Sequence, residues 1–519
     1  MKFKILNLKL KITDFVRRNK KELIILFFIL LLASFCRLYK ISSYMTFLGD
    51  EGRDVIIVRR LLVEGHPPLI GPGTSVGSMY LGPLYYYMMA PALLLANFSP
   101  VGPAVMIAIL GILTVGFVWW VGRRWFNKTT GLVAAGLYAI SPTIIYYSRS
   151  SWNPNIMPFF ALLSVYSVWK VWREKRFNWL IVMGISFAFV LQSHYLGLLL
   201  APTLFVFWLL TFLEVRKTKD QKIFNKDSVV GIVLFLLLMS PLLIFDLRHN
   251  WMNTKAFYAF FTAKDPSVSI NLVSSVLKIP EIFNQIITSL LGGKNIIGGL
   301  VISVFFAVTL VTLLIYMIRV RNKNLFKINF AYYLLFSWIG FGLLGLGLYS
   351  KEIYDHYFGF LFTVPFIIAG IIISWLISRG KLFKILGFGL LIYLIVISLT
   401  ANPLLKEPNR LLQRSIDVSK VIEKNNDQKP FNLAVIADNN YEAGYEYFLL
   451  KDNYPVIEID PQISATITNQ LFAVCELIPN SKCDPTHNPK AQVASFGWSK
   501  IEDSWEVDGA IVYKLLHAR

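Results

Sequence analysis

Leu23-Ile-Ile-Leu-Phe-Phe-Ile-Leu-Leu-Leu-Ala-Ser-Phe-Cys-Arg-Leu38, an apolar run entered directly from the basic start between Lys2 and Lys21, decides the reading of the whole chain. Coiled into a helix, it is close to the length that crosses a hydrocarbon core about 30 Å thick. No small-residue cleavage site follows it, so the run is expected to stay as an anchor rather than to leave as a signal peptide. Runs of the same kind recur as far as Thr400, and the remainder of the chain has none. Composition agrees: of 519 residues, 55% are hydrophobic and 16% charged, with 40 Phe, 24 Tyr and 13 Trp, and the mean hydropathy is +0.56. Such values exclude an ordinary soluble domain and indicate a multi-pass membrane protein.

The net charge of +20 raises the question of a nucleic-acid partner. From Asn402 onward there are 12 basic and 16 acidic side chains, a net of −4, which leaves +24 on the rest. That excess is not a patch. Six short segments carry 27 of the 51 basic residues: the N-terminus, Arg123 to Lys128, Lys170 to Arg176, Arg216 to Lys226, Arg319 to Lys327 and Arg379 to Lys384. Basic residues in short loops beside spans mark the cytoplasmic side, so nucleic acid is excluded as a partner and membrane lipid takes its place.

With those loops inside, the spans run roughly 23–39, 102–121, 130–147, 155–170, 178–195, 197–213, 229–245, 296–318, 329–348, 357–377 and 383–400. The expectation is an all-α polytopic protein of the plasma membrane, with about 11 transmembrane helices, a cytoplasmic N-terminus (1–22) and a module over 23–401. Gly82 to Asn97 is apolar but short, interrupted by Pro83 and Pro91, and lacks basic flanks. It reads as a helix in the outer interface with Tyr80, Tyr85, Tyr86 and Tyr87 at headgroup depth, inside one long outer loop, 40–101. The last part, 402–519, reads as a small extracytoplasmic α/β domain. Its strand candidates are Asn432 to Ala437, Pro455 to Ile459 and Gly509 to Leu515, with a Tyr-rich helix at Tyr441 to Leu450. In an oxidising compartment Cys475 and Cys483 can close a small loop there, whereas Cys36 packs inside the first span.

Four polar clusters lie on the outer side. Thr46-Phe-Leu-Gly-Asp-Glu-Gly-Arg-Asp54 gathers Asp50, Glu51, Arg53 and Asp54 next to the membrane. A solvated loop with local ion pairs is the plain explanation. The same loop, however, also holds the glycine-rich stretch Gly71 to Ser78 and the Tyr-rich helix, and a carboxylate held at the lipid boundary suits general-base work. In the second cluster, Tyr146-Tyr-Ser-Arg-Ser-Ser-Trp-Asn-Pro-Asn155, the Asn-Pro pair is ordinary helix-start chemistry. An outer Arg149 at membrane depth nevertheless calls for an anionic partner such as a phosphate. Gln192, Ser193, His194 and Tyr195 interrupt two apolar spans where the chain turns, and a polar group there is costly unless satisfied. Single histidines more often satisfy a local hydrogen bond than bind metal. The fourth, Tyr349-Ser-Lys-Glu-Ile-Tyr-Asp-His-Tyr357, offers Lys351, Asp355, His356 and Tyr357, with Lys351 or His356 suited to a phosphate.

A transporter is expected to place ionisable groups near mid-membrane on broken helices in two related halves. The spans here are apolar at their centres, and no internal repeat is evident. Polar chemistry confined to one interface points instead to reaction on a lipid-linked substrate.

In these features the chain resembles the GT-C superfamily of integral membrane glycosyltransferases, in particular the family 39 protein O-mannosyltransferases and bacterial aminoarabinose transferases. The resemblance spans roughly residues 22 to 400. It is carried by the Asp50-Glu51 pair, the Gly82-Pro83-Leu84-Tyr85-Tyr86 entry to a juxtamembrane helix, Arg149 to Asn155, and His356-Tyr357 ahead of Pro365. It implies inverting transfer of a sugar from a polyprenyl-phosphate donor to an acceptor hydroxyl on a protein, lipid or glycan. Asp50 would act as general base and Glu51 would orient Asp50 or the acceptor. The cations Arg53, Arg149, Lys351 and His356 would meet the phosphate. From the polar clusters themselves, Asn153, His194, Tyr195 and Tyr357 are further candidate substrate contacts. Some relatives use a divalent metal, but no ligand set of diagnostic spacing appears here. Many relatives carry Asp where this chain has Asn153 or Asn155, and an Arg-Tyr pair where it has His356-Tyr357. The Trp-Trp-Asp-Tyr-Gly motif of oligosaccharyltransferases is absent from the sequence. A lipid-linked-sugar flippase or other transporter is the alternative, and a scaffold displaying the C-terminal domain is a third.

Overall fold

The structure, a computed structural model, describes residues 13–74, 79–262, 272–321, 329–477 and 482–518. Within it the helices are α1 Lys20–Leu38, α2 Gly49–Val63, α3 Leu84–Leu95, α4 Val101–Trp125, α5 Lys128–Ile140, α6 Met157–Glu174, α7 Trp179–Ser193, α8 Ala201–Val215, α9 Gln221–Arg248 and α10 Met252–Phe261. They continue as α11 Leu272–Leu290, α12 Ile296–Arg321, α13 Ala331–Gly347, α14 Val364–Ile377, α15 Lys381–Thr400, α16 Leu411–Asn425, α17 Ala443–Lys451 and α18 Ala491–Phe496. The expected fold class holds at this level: a mostly helical protein with several apolar helices and a small C-terminal sheet.

Among the described residues, five helical stretches are long and apolar enough to cross a membrane: Val101–Trp125, Tyr195–Val215, Gln221–Arg248, Ile296–Arg319 and Lys381–Thr400. Asp355–Leu361 and Val364–Ile377, bent by 58° at their junction, pass the same test together. The remaining expected spans fall on shorter or interrupted helices. The sequence explains the breaks: Ser141-Pro142 ends α5 and restarts a short helix Pro142–Tyr147, because a proline cannot continue the ladder of the preceding turn. The stretch between the expected spans 229–245 and 296–318 contains α10 and α11, and α11 buries Ile282, Ile286, Ile287 and Leu290 in the main core. Most of the Arg319 to Lys327 segment and part of Gly71 to Ser78 lie outside the described residues.

Helices pack closely where side chains vanish. A Cβ on Gly131 would stand 2.5 Å from the Trp119 carbonyl, and one on Gly122 would stand 3.0 Å from the Gly131 Cα, so α4 and α5 meet backbone to backbone, as small residues allow in lipid-facing bundles. Described residues of three of the basic segments form ion pairs at one end of the bundle. There Arg123 reaches Glu22 at 2.7 Å, Arg124 reaches Glu174 at 3.3 Å, and Lys175 pairs with Glu214. The Tyr-rich helix α3 differs from expectation in what its rings do. Tyr85 and Tyr86 are buried, with their hydroxyls bonded to Ser151 and Asp54, because a phenol removed from water needs an internal partner.

In the C-terminal domain, β1 Asn432–Ile436, β2 Gln470–Cys475, β3 Ser499–Val507 and β4 Ala510–His517 form a sheet of order β1-β2-β4-β3. β1 and β2 are parallel; the other two pairings are antiparallel. The expected strand at Pro455 to Ile459 is reduced to one bridge, Phe431 to Val456, since the Phe431 edge offers it no longer ladder. Cys475 and Cys483 are bonded, a sequence separation of 8. Closing so short a loop is worth about 2.5 kcal/mol in the unfolded chain. Replacing both cysteines by serine is therefore expected to lower the melting temperature of the domain by several degrees, and differential scanning fluorimetry with and without reductant reads it. Equal melting temperatures would refute a stabilising role.

Candidate active site

The chain turns at Met45 and enters α2 through Leu48. Glu51 closes this turn by accepting the Leu48 N–H on Oε2 at 3.0 Å, an acidic residue in a first turn where unpaired amides and the helix dipole favour it. The same register sets Asp50, Arg53 and Asp54 beside each other. Arg53 bridges them, Nη1 to Asp50 Oδ1 at 2.9 Å and Nη2 to Asp54 Oδ1 at 2.8 Å, and the Tyr86 hydroxyl donates to Asp54 Oδ1 at 3.1 Å. Their exposures separate the three acids: Asp54 is fully buried and Glu51 is 6% exposed, while the Asp50 side chain is 43% exposed. Asp50 is thus the acid open to a substrate.

Burial pushes the Glu51 carboxyl up to about 7, against the Leu48 N–H that favours its anion, and raises Asp54 to about 6 despite Arg53. An acid whose folded-state pKa is raised binds its proton more tightly when folded. Its contribution to stability is full below its ordinary value of 4.5 and is lost as pH rises through 7. Glu51→Gln keeps the amide oxygen facing Leu48 and carries no charge. It is expected to stabilise the protein at pH 8 by about 3 kcal/mol and to leave it nearly unchanged at pH 4.5, so melting curves at the two pH values measure the difference. A variant no more stable at pH 8 than at pH 4.5, relative to wild type, would contradict the assignment.

A cavity of about 730 Å³ opens against Asp50 and Arg53, at the end of the bundle away from the basic loops. It brings together seven of the sequence-derived candidates: Asp50, Arg53, Asn153, His194, Tyr195, His356 and Tyr357. Asn153, at the start of a 3-10 turn leading into α6, donates to the Ser193 carbonyl at 2.7 Å. His194, where α7 ends, accepts the Leu196 N–H on Nδ1 at 3.2 Å. The Tyr195 hydroxyl donates to the Tyr80 carbonyl and accepts from Asn253 at 3.1 Å. His356 packs on Trp152 with ring centroids 4.6 Å apart and lies 5.8 Å from His194. Much of the remaining wall is apolar, from Leu196, Leu198, Leu199 and Leu348.

Glu51, Arg149 and Lys351 do not line this cavity. Arg149 is buried and donates to the Cys36 carbonyl at 2.7 Å and the Tyr39 carbonyl at 2.6 Å, satisfying acceptors left open at the end of α1. Lys351 is exposed in the turn before His356. Among the described residues no group of three or more His, Cys, Asp and Glu is placed to hold a metal ion.

Sequence reasoning placed Asp54 in the first polar cluster and Tyr86 in the juxtamembrane motif without giving either a role, and it did not connect Tyr441 with the site. Tyr441 comes from the C-terminal domain and donates to Asp50 Oδ1 at 2.9 Å. The local hints were the glycines at 49 and 52 flanking the acids, spaced so that another backbone can approach α2.

A family model described as dolichyl-phosphate-mannose-protein mannosyltransferase matches residues 81–245. No curated protein matches the sequence. Among solved structures, ArnT from Cupriavidus metallidurans bound to undecaprenyl phosphate superposes with a TM-score of 0.61 at 12% identity, covering 96% of this chain and 98% of that one. The oligosaccharyltransferase AglB from Archaeoglobus fulgidus, in complex with an inhibitory peptide and a dolichol-phosphate, superposes with a TM-score of 0.52 at 12% identity, covering 88% and 70%. The resemblance read from the sequence is borne out at this level: the fold is like that of these two solved structures, and residues 81–245 are similar to the mannosyltransferase model.

Proposed function

We propose that this chain, with its GT-C fold, transfers a sugar from a polyprenyl-phosphate donor to an acceptor hydroxyl at the outer face of the membrane. The carrying observation is that, among the described residues, Asp50 is the one carboxylate lining the cavity, while its neighbours Glu51 and Asp54 are buried. In the reaction the acceptor O–H gives its proton to Asp50, and the acceptor oxygen attacks the anomeric carbon from the face opposite the phosphate. The bond from that carbon to the phosphate oxygen breaks, and polyprenyl phosphate leaves with the electron pair, which inverts the anomeric centre. One base and one leaving group suffice for this direct displacement.

The phosphate gains charge as it leaves, so fixed donors facing it lower the barrier. Arg53, His194 and His356 with the Tyr357 hydroxyl are the cavity groups suited to that role; the Tyr195 hydroxyl, whose proton is held by the Tyr80 carbonyl, would contact the substrate through its ring, and Asn153 holds the His194 turn through Ser193. The apolar wall suits the first isoprene units. Glu51 fixes the start of α2 and so the position of Asp50, and Arg149 fixes the end of α1; neither need touch the donor.

The test uses purified protein in nanodiscs with radiolabelled undecaprenyl-phosphate hexoses and pentoses and acceptor extract. Consumption of one donor with release of undecaprenyl phosphate is the expected result. If no donor is consumed while fluorescent lipid-linked sugar crosses vesicles in a protein-dependent way, the reading is wrong and the protein is a flippase.

A further inference from the structure

Asp50 belongs to a helix that the C-terminal domain grips. The Tyr441 hydroxyl donates to Asp50 Oδ1 at 2.9 Å and accepts from Arg53 Nη1 at 3.3 Å. Its ring lies so close to Gly49 that a Cβ there would stand 2.3 Å from it. The neighbouring Asn440 accepts the Gly49 N–H at 2.8 Å. Asn440 is in turn held by Glu476, whose Oε1 takes its amide N–H at 2.6 Å and the Tyr445 hydroxyl at 2.5 Å, with Arg414 facing Oε2 at 3.6 Å. Glu476 follows directly on β2, and its N–H donates to the Ile436 carbonyl at 3.0 Å. A continuous brace therefore runs from the sheet through Glu476 and Asn440 to the first turn of α2.

We propose that Tyr441 is a positioning residue for Asp50, making the C-terminal domain a structural part of the catalytic centre. The proposal rests on the reading of Asp50 as the base. A carboxylate 43% exposed on the first turn of a helix is free to rotate unless both its donors are fixed. Arg53 divides its guanidinium between Asp50 and Asp54, so it fixes Asp50 only in part. Tyr441, held from a separate domain, supplies the second point. With both donors on Oδ1, Oδ2 has no hydrogen bond among the described residues and is open to an acceptor hydroxyl. Positioning of this kind acts on the chemical step and not on donor affinity.

The experiment compares full-length wild type, Tyr441→Phe and Asp50→Asn in nanodiscs, using the radiolabelled undecaprenyl-phosphate sugar consumed by the wild type. Phe keeps the ring on Gly49 and removes the hydroxyl alone. The expected result for Tyr441→Phe is a fall in kcat of about 10- to 100-fold, the range of a hydrogen bond to a charged group, with donor KM within about twofold and an unchanged melting temperature. Wild-type kcat in Tyr441→Phe alongside an inactive Asp50→Asn overturns the positioning role and leaves the Asp50 assignment standing. A lowered melting temperature with kcat and KM both altered overturns it too, in favour of a merely structural contact. Full activity in Asp50→Asn, or no donor consumed by wild type, removes the reading beneath it.

Discussion

Asp50→Asn is expected to lower kcat by at least about 10³-fold while donor binding and the melting temperature stay near those of the wild type. General-base catalysis contributes about 10²–10⁴, and the amide cannot accept the acceptor's proton at neutral pH. The substitution is isosteric, and its carbonyl oxygen can still take the Arg53 and Tyr441 hydrogen bonds now made to Oδ1, so the site keeps its shape. Arg53 remains paired with Asp54 at 2.8 Å, and no buried charge is orphaned. The measurement is single-turnover release of labelled sugar from the nanodisc-bound donor, with donor affinity read separately by filter retention. Activity within tenfold of the wild type would sink the assignment of Asp50 as base. Loss of donor retention would instead place Asp50 among the donor contacts.

Apolar runs were legible in the sequence because a span repeats one property over many residues, and each expected span coincides with a helix or an interrupted pair. The same simplicity hid detail. β2, Gln-Leu-Phe-Ala-Val-Cys475, is buried along its whole length, so it lacks the alternation that betrays a half-buried strand. β3 is polar and mostly exposed at the sheet edge, which also leaves no pattern. The site shows the same division. The loop clusters around Asp50, Asn153, His194 and His356 stand out as polar interruptions of apolar sequence, and the fold draws them to one cavity. Arg149 stands out for the same reason yet is used on carbonyls of α1, because an end of a helix is as much in need of donors as a phosphate is. Tyr441 could not be paired with Asp50, 391 positions away, from any local pattern.

Gly52→Val is expected to separate the C-terminal domain from α2 and to cost activity at least about 100-fold. A Cβ at this position would stand 2.3 Å from the Ala443 carbonyl carbon and 2.3 Å from the Gly444 nitrogen. Both are backbone atoms of the α17 entrance and have no rotamer by which to yield. Relief requires the two segments to part, and overpacking of this sort costs about 1–3 kcal/mol or more. The ring contacts of Phe47 with Tyr447 and Phe448, the Tyr447 hydroxyl on the Phe98 carbonyl and the Asn440 bond to Gly49 lie on the same face, so they would loosen together. Asp50 would then lose its second donor and the cavity one of its supports, although no residue lining the cavity had been changed. Gly389→Val on α15, where a Cβ meets nothing within 4 Å, serves as the control. Limited trypsinolysis reads the separation directly, since Lys406 and Arg410 lie in the exposed connection to the domain; faster cleavage there in Gly52→Val than in Gly389→Val, together with the activity loss, is the expected outcome. If Gly52→Val resists trypsin and turns over donor as the control does, the close approach of α17 to α2 is dispensable, and the catalytic centre is complete within the transmembrane module.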